Sequence, residues 1–178
     1  EPFENRKLWL LNGSHSLMAY LGQLRGHETV AEAIADNVCR NHVESFWNEA
    51  ALHLTEDGLD IPNYRNALIE RFENSRIAHR LAQIAIDGAT KLRVRIAPVA
   101  KAEIAAGRSA EGCATAIAAW VAYVLKNEKV QDSQSEEIAR AMNGNKLGVE
   151  QRLVSVIDLQ LANDVKFMGL VIEKLASL

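Results

Sequence analysis

A run of alanines and large apolar residues in the second half of the chain restricts the possible folds more than any other feature. Residues 110–126 are rich in alanine and contain no proline. Larger apolar side chains recur there at helical spacing, namely Ile117, Trp120, Val121, Val124 and Leu125. Because alanine is the strongest helix former, this segment predicts an α-helix with one buried face. We expect it to lie at the centre of the core.

Helical spacing recurs along nearly the whole chain. The predicted helices span about residues 6–24, 29–35, 37–54, 64–73, 77–86, 91–106, 147–159 and 161–175, with a further start at Ser135. Asp36 is placed to cap one helix, and Pro98 predicts a kink or a break in another. Residues 153–157 alternate like a strand, but their short length and helical flanks favour a helix. The sequence therefore predicts an all-α, multi-helix fold with little or no sheet.

Composition sets limits on the domain organisation and on the partners. The 178 residues are 48% hydrophobic, which is enough to bury the core of a single helical domain over residues 1–178. The formal net charge is −3 and no basic run occurs, which argues against a nucleic-acid surface. No stretch of about 18 apolar residues occurs, so we expect no membrane span. Two cysteines predict a reducing, cytoplasmic setting.

Three polar side chains on the first predicted helix are the strongest functional signal. At about 100° per residue, Lys7, Asn12 and His15 lie at relative angles of about 0°, 140° and 80°, with Leu8 and Leu11 between them. One interpretation is a helix end at the surface, with a snorkelling lysine, a capping asparagine and a hydrogen-bonded core histidine. The other interpretation is a catalytic face.

The chemistry of these three groups suits the interconversion of a carbonyl and an alcohol. Leucines around Lys7 would disfavour its charged form, which would lower the pKa of the amine and allow proton exchange at neutral pH. Asn12 offers amide donors to a developing alkoxide, and His15 could position a hydroxyl or orient the lysine.

A second block of residues adds to this signal. Residues 71–75 read Arg-Phe-Glu-Asn-Ser, and residues 83–92 run from Gln83 through Asp-Gly-Ala-Thr-Lys-Leu. Together with Lys7-x4-Asn12-x2-His15, these blocks resemble the C-terminal domain of the polyol-specific long-chain dehydrogenases, the mannitol dehydrogenase family that includes fructuronate and tagaturonate reductases. The resemblance implies an all-α domain similar to the 6-phosphogluconate dehydrogenase C-terminal-like fold.

The resemblance also implies roles for individual residues. The residue matching Lys7 is the general acid/base, the one matching Asn12 polarises the reacting oxygen, and the one matching His15 binds substrate hydroxyls. Glutamine at position 83 looks more like the hexuronate reductases than the mannitol-oxidising members, which carry arginine there. Lys91 and Arg95 are then candidates for binding a substrate carboxylate, although a solvated basic face is an equal alternative.

Two positions depart from the family pattern. Ser75 and Arg93 stand where the family commonly has proline. Proline restricts the backbone at its own position and at the residue before it, so the departures put the local backbone near Lys91 in doubt.

The cofactor site implied by the resemblance is not in this sequence. A dinucleotide-binding domain needs a strand, then a glycine-rich turn, then a helix. No segment of this sequence shows these three elements in succession. We therefore expect a fragment that starts just before the catalytic helix, with NAD or NADP bound only by the full-length enzyme. The five histidines form no H-E-x-x-H pattern and the two cysteines are isolated, so no metal site is predicted.

Two functions are consistent with these patterns. The first is the substrate-binding half of an NAD(P)-dependent, metal-independent oxidoreductase that acts on a sugar alcohol or a hexuronate, with its own nucleotide-binding domain as partner. The second is a non-catalytic helical interaction module in which Trp47, Trp120 and the late helices form a docking surface. The oxidoreductase is favoured, because the sequence contains both the Lys7-x4-Asn12-x2-His15 block and the block within residues 71–92.

Overall fold

Helices account for nearly all of the regular structure. A computed structural model describes residues 1–77, 79–127 and 129–178. Its α-helices are α1 (Pro2–Arg6), α2 (Ser14–Leu24), α3 (Val30–Ala35), α4 (Asn37–Ala51), α5 (Ile61–Glu73), α6 (Leu81–Ile84), α7 (Gly88–Arg95), α8 (Ala97–Ala105), α9 (Glu111–Lys126), α10 (Ser135–Met142), α11 (Val149–Ile157), α12 (Leu159–Ala162) and α13 (Val165–Ser177). A π-helix, Lys7–Gly13, joins α1 to α2. Within the described ranges the only β pairing is one isolated bridge, so the predicted all-α class is confirmed.

The alanine-rich helix α9 lies at the centre of the core, as predicted. It packs against α2, α4 and α13, and its face of Ile117, Val121 and Val124 is buried. Leu125 was expected on this face but is 41% exposed, because it lies in the last turn of the helix. The predicted central helix is therefore correct except at its C-terminal end.

The contact between α9 and α4 is unusually close. A Cβ atom added to Gly112 would lie 2.6 Å from the backbone nitrogen of Phe46 and 2.7 Å from its Cα. Such separations are far below van der Waals contact, so only glycine lets the two helix backbones meet here. This crossing fixes α4, which carries Phe46 and Trp47 toward the N-terminal helices.

Both large aromatic residues assigned to a docking surface are in the core. Trp47 is fully buried and Trp120 is 1% exposed. The chain's own helices cover both rings, so Trp47 and Trp120 do not contribute to a docking surface of the kind that the alternative interpretation requires.

Local capping explains several of the helix starts. Asp36 caps α4 by accepting a hydrogen bond from the backbone N–H of Val38 at 2.9 Å, as predicted. Thr29 and Glu32 form a reciprocal capping box at the start of α3. Pro62 lies in the first turn of α5, which begins at Ile61, three residues before the predicted start.

The predicted helix over residues 77–86 is largely wrong. Only Leu81–Ile84 is helical, and Ala78 lies outside the described residues. The backbone before this turn pairs with the segment that precedes α3: Val30 N–H donates to the His79 carbonyl at 3.0 Å, and Leu81 N–H donates to the Glu28 carbonyl at 2.9 Å. These long-range hydrogen bonds outweigh the local preference for a helix.

The remaining helices follow the predictions with shifted ends. The segment around Pro98 is divided into α7 and α8 at Ile96, so the proline marks a break. Residues 153–157 are helical, within α11. The predicted last helix is divided into α12 and α13 by Asp164, whose carboxylate caps α13 through the Phe167 N–H at 2.9 Å.

Among the described residues, no helix combines the length and the apolar character needed to cross a bilayer.

Candidate functional site

The predicted catalytic residues lie on one continuous N-terminal rod formed by α1, the π-helix and α2. Lys7 and Asn12 belong to the π-helix, and His15 is in the first turn of α2. Lys7 is exposed, Asn12 is half-buried, and His15 is mostly buried. Within this chain the leucines beside Lys7 therefore leave its side chain exposed.

The π-helix was not predicted from the sequence, and it changes how the three residues are arranged. A π-helix has about 4.4 residues per turn, or about 80° per residue, because each N–H bonds the carbonyl five residues back. Lys7 and Asn12 are five residues apart, so the angle between them falls from about 140° in an α-helix to about 50°. The wider turn places the amine and the amide on a narrower face than the predicted helix would.

His15 lies among rings and cations. Its ring centroid is 5.2 Å from that of Phe72 and 5.7 Å from that of His79. Burial lowers the pKa of His15 to about 4, and the positive charges of nearby groups, including Arg71, add to the effect. His15 is therefore neutral at pH 7.

One nitrogen of the His15 ring, Nε2, lies in an unusual environment. His15 Nε2 is buried and has no hydrogen-bond partner among the described residues. The alternative of a hydrogen-bonded core histidine therefore does not describe this nitrogen. A buried, unpaired nitrogen is unfavourable by about 1–3 kcal/mol, so it would gain from a new partner.

Lys91 and Arg95 are both partly buried and held by the protein, which argues against a merely solvated basic face. Arg95 Nη1 donates to the Asn12 carbonyl at 3.3 Å and to Ser16 Oγ at 3.1 Å. Lys91 Nζ donates to the Ile84 carbonyl at 3.0 Å. Burial lowers the pKa of both groups, and in Lys91 the charge of Arg95 lowers it further. Arg95 is thereby joined directly to the rod that carries the predicted catalytic residues.

Gln83 is exposed on the short helix α6, immediately before the residue whose carbonyl anchors Lys91. No hydrogen bond among the described residues joins Gln83 to Lys7, Asn12 or His15. Arg95 is therefore hydrogen-bonded to the rod. Gln83 instead lies next in sequence to Ile84, whose carbonyl accepts the hydrogen bond from Lys91.

Sequence patterns missed several groups around this site. Arg71 lies within the second block, yet its charge was not assigned to the surroundings of His15. His79 and Trp47 belong to no motif, and each reaches the rod through tertiary packing. Ser16 lies on the rod and accepts a hydrogen bond from Arg95. Trp47 Nε1 donates to the Leu10 carbonyl at 2.8 Å. Only Arg71 left a signal in the sequence that pointed toward the site.

One group of potential metal ligands lies away from this face. Nitrogen, oxygen and sulfur atoms of His27, Asp36 and Cys39 lie within 4.8 Å of one another. The spacing of the residues gave no sign of it, because His27 precedes α3 and the other two flank the start of α4. The Asp36 carboxylate already accepts hydrogen bonds from Arg25 at 2.6 Å and from His27 at 2.8 Å, besides capping α4. An ion pair and a helix cap therefore explain why His27, Asp36 and Cys39 lie close together.

Lys7 is the exposed member of the group formed by Lys7, Asn12 and His15. A cleft of about 780 Å³ is present between α4 and α5, and its lining includes Arg40 and Arg65 but none of the six predicted site residues. An amine, an amide and a neutral imidazole therefore lie on one helical rod of an all-α domain, outside the lining of that cleft.

Comparisons with known proteins agree with this class. The D-mannonate oxidoreductase of Escherichia coli is 38% identical over 124 residues, which is 68% of this chain and 26% of that protein. The mannitol 2-dehydrogenase of Aspergillus fumigatus is 36% identical over 180 residues, which is 94% of this chain and 36% of that protein. The chain thus spans only about a quarter to a third of the length of these relatives.

A solved structure matches the fold nearly throughout. Mannitol 2-dehydrogenase of Pseudomonas fluorescens, in a ternary complex with NAD and D-mannitol, superposes with a TM-score of 0.90 and 27% identity. The match covers 99% of this chain and 38% of that one. Residues 1–141 also match the family of mannitol dehydrogenase C-terminal domains. The chain belongs to that family.

Proposed function

We propose that this chain is the substrate-binding and catalytic half of an NAD(P)-dependent oxidoreductase that interconverts a sugar alcohol or aldonate and its ketose or ketouronate. The observation that carries the proposal is the shared face of Lys7, Asn12 and His15 in a member of the mannitol dehydrogenase C-terminal domain family. Because the chain spans about a third of its relatives, the activity is assigned to the protein that contains it.

Each residue of the face has one role in this proposal. In the oxidation direction the Lys7 amine takes the proton of the substrate hydroxyl, and in reduction its ammonium returns a proton to the carbonyl oxygen. The Asn12 amide donates a hydrogen bond to the same oxygen and stabilises its developing negative charge. The neutral ring of His15 binds a substrate hydroxyl, which would supply the partner that Nε2 lacks.

A nucleotide-binding half is the proposed partner. The described residues contain no strand followed by a glycine-rich turn and a helix, so they offer no place for a dinucleotide pyrophosphate. When bound by the other half, the nicotinamide accepts or donates the hydride. No step in this proposal needs a metal, because Lys7 handles the proton and Asn12 stabilises the oxygen. We place the enzyme in the cytoplasm, consistent with two buried, unpaired cysteines.

A hexuronate is the substrate that the charges favour. Arg71, Lys91 and Arg95 all raise the positive potential around His15, and none of them forms an ion pair among the described residues. A substrate carboxylate would neutralise this potential and accept charge-assisted hydrogen bonds. The similarity to D-mannonate oxidoreductase, whose substrate is a sugar acid, agrees with this preference.

An uncharged sugar alcohol is the second candidate. It is supported by the structural match to an enzyme solved with D-mannitol and by the mannitol 2-dehydrogenase relatives. The two candidates differ in a single formal charge, which makes them easy to separate by kinetics.

A substrate panel tests the proposed function. Joined in one polypeptide to a nucleotide-binding half, the chain should reduce fructuronate with NADH or NADPH more efficiently than it reduces fructose. Gln83→Arg should shift the ratio of kcat/KM values by about tenfold toward uncharged substrates, because the mannitol-oxidising members tend to carry arginine there. The added positive charge alone would favour a carboxylate, so a shift in this direction would show that the residue acts on specificity by shape.

The matched control is Gln160→Arg, which adds the same charge at an exposed glutamine in α12. Equal substrate ratios in the parent and Gln83→Arg would remove Gln83 from the specificity site. A parent that reduces none of these ketoses would overturn the proposed function.

A further inference from the structure

The π-helix needs support from outside its own backbone. Where a π-helix passes into an α-helix, the spacing of the hydrogen bonds changes from five residues to four, and a carbonyl is left without a partner in the helix. The rod makes this change at Ser14, directly after Gly13. A buried carbonyl in that position is unfavourable unless another group donates to it.

Two buried side chains supply that donor. The Leu10 carbonyl accepts a hydrogen bond from Trp47 Nε1 at 2.8 Å and another from Ser14 Oγ at 2.6 Å. Ser14 Oγ also lies 3.0 Å from the Leu11 carbonyl. Trp47, Ser14 and Leu10 are fully buried, so water does not compete for these hydrogen bonds.

Contacts from two other helices hold the same segment. A Cβ atom added to Gly13 would lie 2.8 Å from the Phe46 ring, so α4 packs closely against the end of the π-helix. Arg95, at the end of α7, donates to the Asn12 carbonyl, and its own carbonyl oxygen would lie 3.4 Å from the same Cβ atom. Helix α4 thus provides both the close contact at Gly13 and the indole donor.

We propose that Trp47 and Ser14 are positioning residues for the reaction: their hydrogen bonds to the Leu10 carbonyl maintain the π-helical turn that aligns Lys7 with Asn12. This inference rests on the proposed function for its catalytic consequence. Neither residue contacts the substrate, since both are buried beneath the face. Without the two donors, the segment gains by returning to α-helical spacing, which rotates Asn12 away from Lys7 by about 90°.

A structural experiment tests the first half of this inference on the chain itself. Trp47→Phe keeps most of the ring and removes the indole N–H, and Ser14→Ala removes the hydroxyl. Crystal structures of these two variants and of the double variant should show Lys7–Gly13 shortened or converted to α-helix. The controls are Trp120→Phe, a core indole that makes no hydrogen bond to the π-helix, and Ser155→Ala, which removes the same type of bond to a carbonyl four residues back, at 2.9 Å, in α11. An intact π-helix in the double variant would overturn the inference.

A kinetic experiment tests the catalytic half. In the protein carrying its nucleotide-binding half, Trp47→Phe and Ser14→Ala should each lower kcat by about 10- to 100-fold, as small displacements of reacting groups do. The KM for the nicotinamide cofactor should stay the same, and Trp120→Phe should keep kcat within about twofold of the parent.

The outcomes separate this inference from the proposed function. Equal losses of kcat in Trp47→Phe and Trp120→Phe would show a general loss of stability and overturn the positioning role. A parent without dehydrogenase activity would overturn the proposed function, and the crystal structures would still decide whether the two donors hold the π-helix.

Discussion

At the scale of single residues, the environment of His15 is the most distinctive feature of the face. The ring is mostly buried, it lies near several positive charges, and its Nε2 has no partner among the described residues. A neutral imidazole can accept a hydrogen bond from a sugar hydroxyl, whereas the protonated ring has no acceptor nitrogen. The low pKa of about 4 therefore serves the proposed role across the physiological pH range.

This pKa predicts a pH-dependent contribution to stability. The folded pKa of His15 is about 4 and the unfolded value is 6.5, so only the unfolded chain binds a proton between these values. The free energy of unfolding is therefore highest above about pH 6.5, falls as the pH drops toward about 4, and then levels off. Between about pH 7 and pH 4.5, His15 should contribute a loss of about 2–3 kcal/mol.

Urea unfolding of the parent and of His15→Gln at both pH values measures this loss. Other groups that titrate in this range, such as His42 and Glu49, are common to both proteins and cancel in the comparison. Equal pH dependence in the two proteins, or an NMR midpoint of His15 near 6.5, would contradict the assignment.

At the scale of helices, some elements could be predicted from the sequence and others could not, for a physical reason. The core helix α9 and the Asp36 cap depend on residues within one or two turns, so their patterns are visible in the sequence. The carbonyls of the π-helix accept hydrogen bonds from Trp47 and Arg95, which are 37 and 83 residues away. Local spacing predicts an ordinary helix there, because no pattern within the segment identifies these distant donors.

The same principle explains the failed helix near residues 77–86. There the backbone bonds Val30 and Glu28, which lie about 50 residues earlier in the chain. Local spacing in residues 77–86 predicted a helix because a sequence pattern within a short segment cannot identify a hydrogen-bond partner that is distant in the chain.

The backbone contact between α4 and α9 gives a sharp prediction about packing. Gly112→Ala would place a Cβ atom 2.6 Å from the Phe46 backbone nitrogen, so the helices must move apart. We expect a loss of about 2–3 kcal/mol in the free energy of unfolding, as for an overpacked core.

Gly169→Ala is the matched control for this change. Gly169 lies within α13, and an added Cβ would have no neighbour within 4 Å. Because alanine is the better helix former, this variant should be more stable by up to about 1 kcal/mol. Denaturant unfolding that gave both variants the same change would show that the α4–α9 contact is looser than described.

At the scale of the whole molecule, the fold class and the membership of the family were predictable from the sequence. Helical spacing and two short blocks of residues predicted an all-α domain of the mannitol dehydrogenase type, and the comparisons confirm it. Within this chain Lys7 is exposed despite the neighbouring leucines. We propose that the shielding which tunes the amine comes from the substrate, the cofactor or the proposed nucleotide-binding half.

The turnover of a Lys7→Ala variant tests the central claim most directly. In the protein joined to its nucleotide-binding half, this variant should lower kcat by about 10²-fold or more, because the general acid/base is lost. Lys166→Ala, which removes an exposed lysine from α13, is the control and should keep the turnover of the parent. A Lys7→Ala variant with the same kcat as the parent would contradict the claim that this face performs the proton transfer.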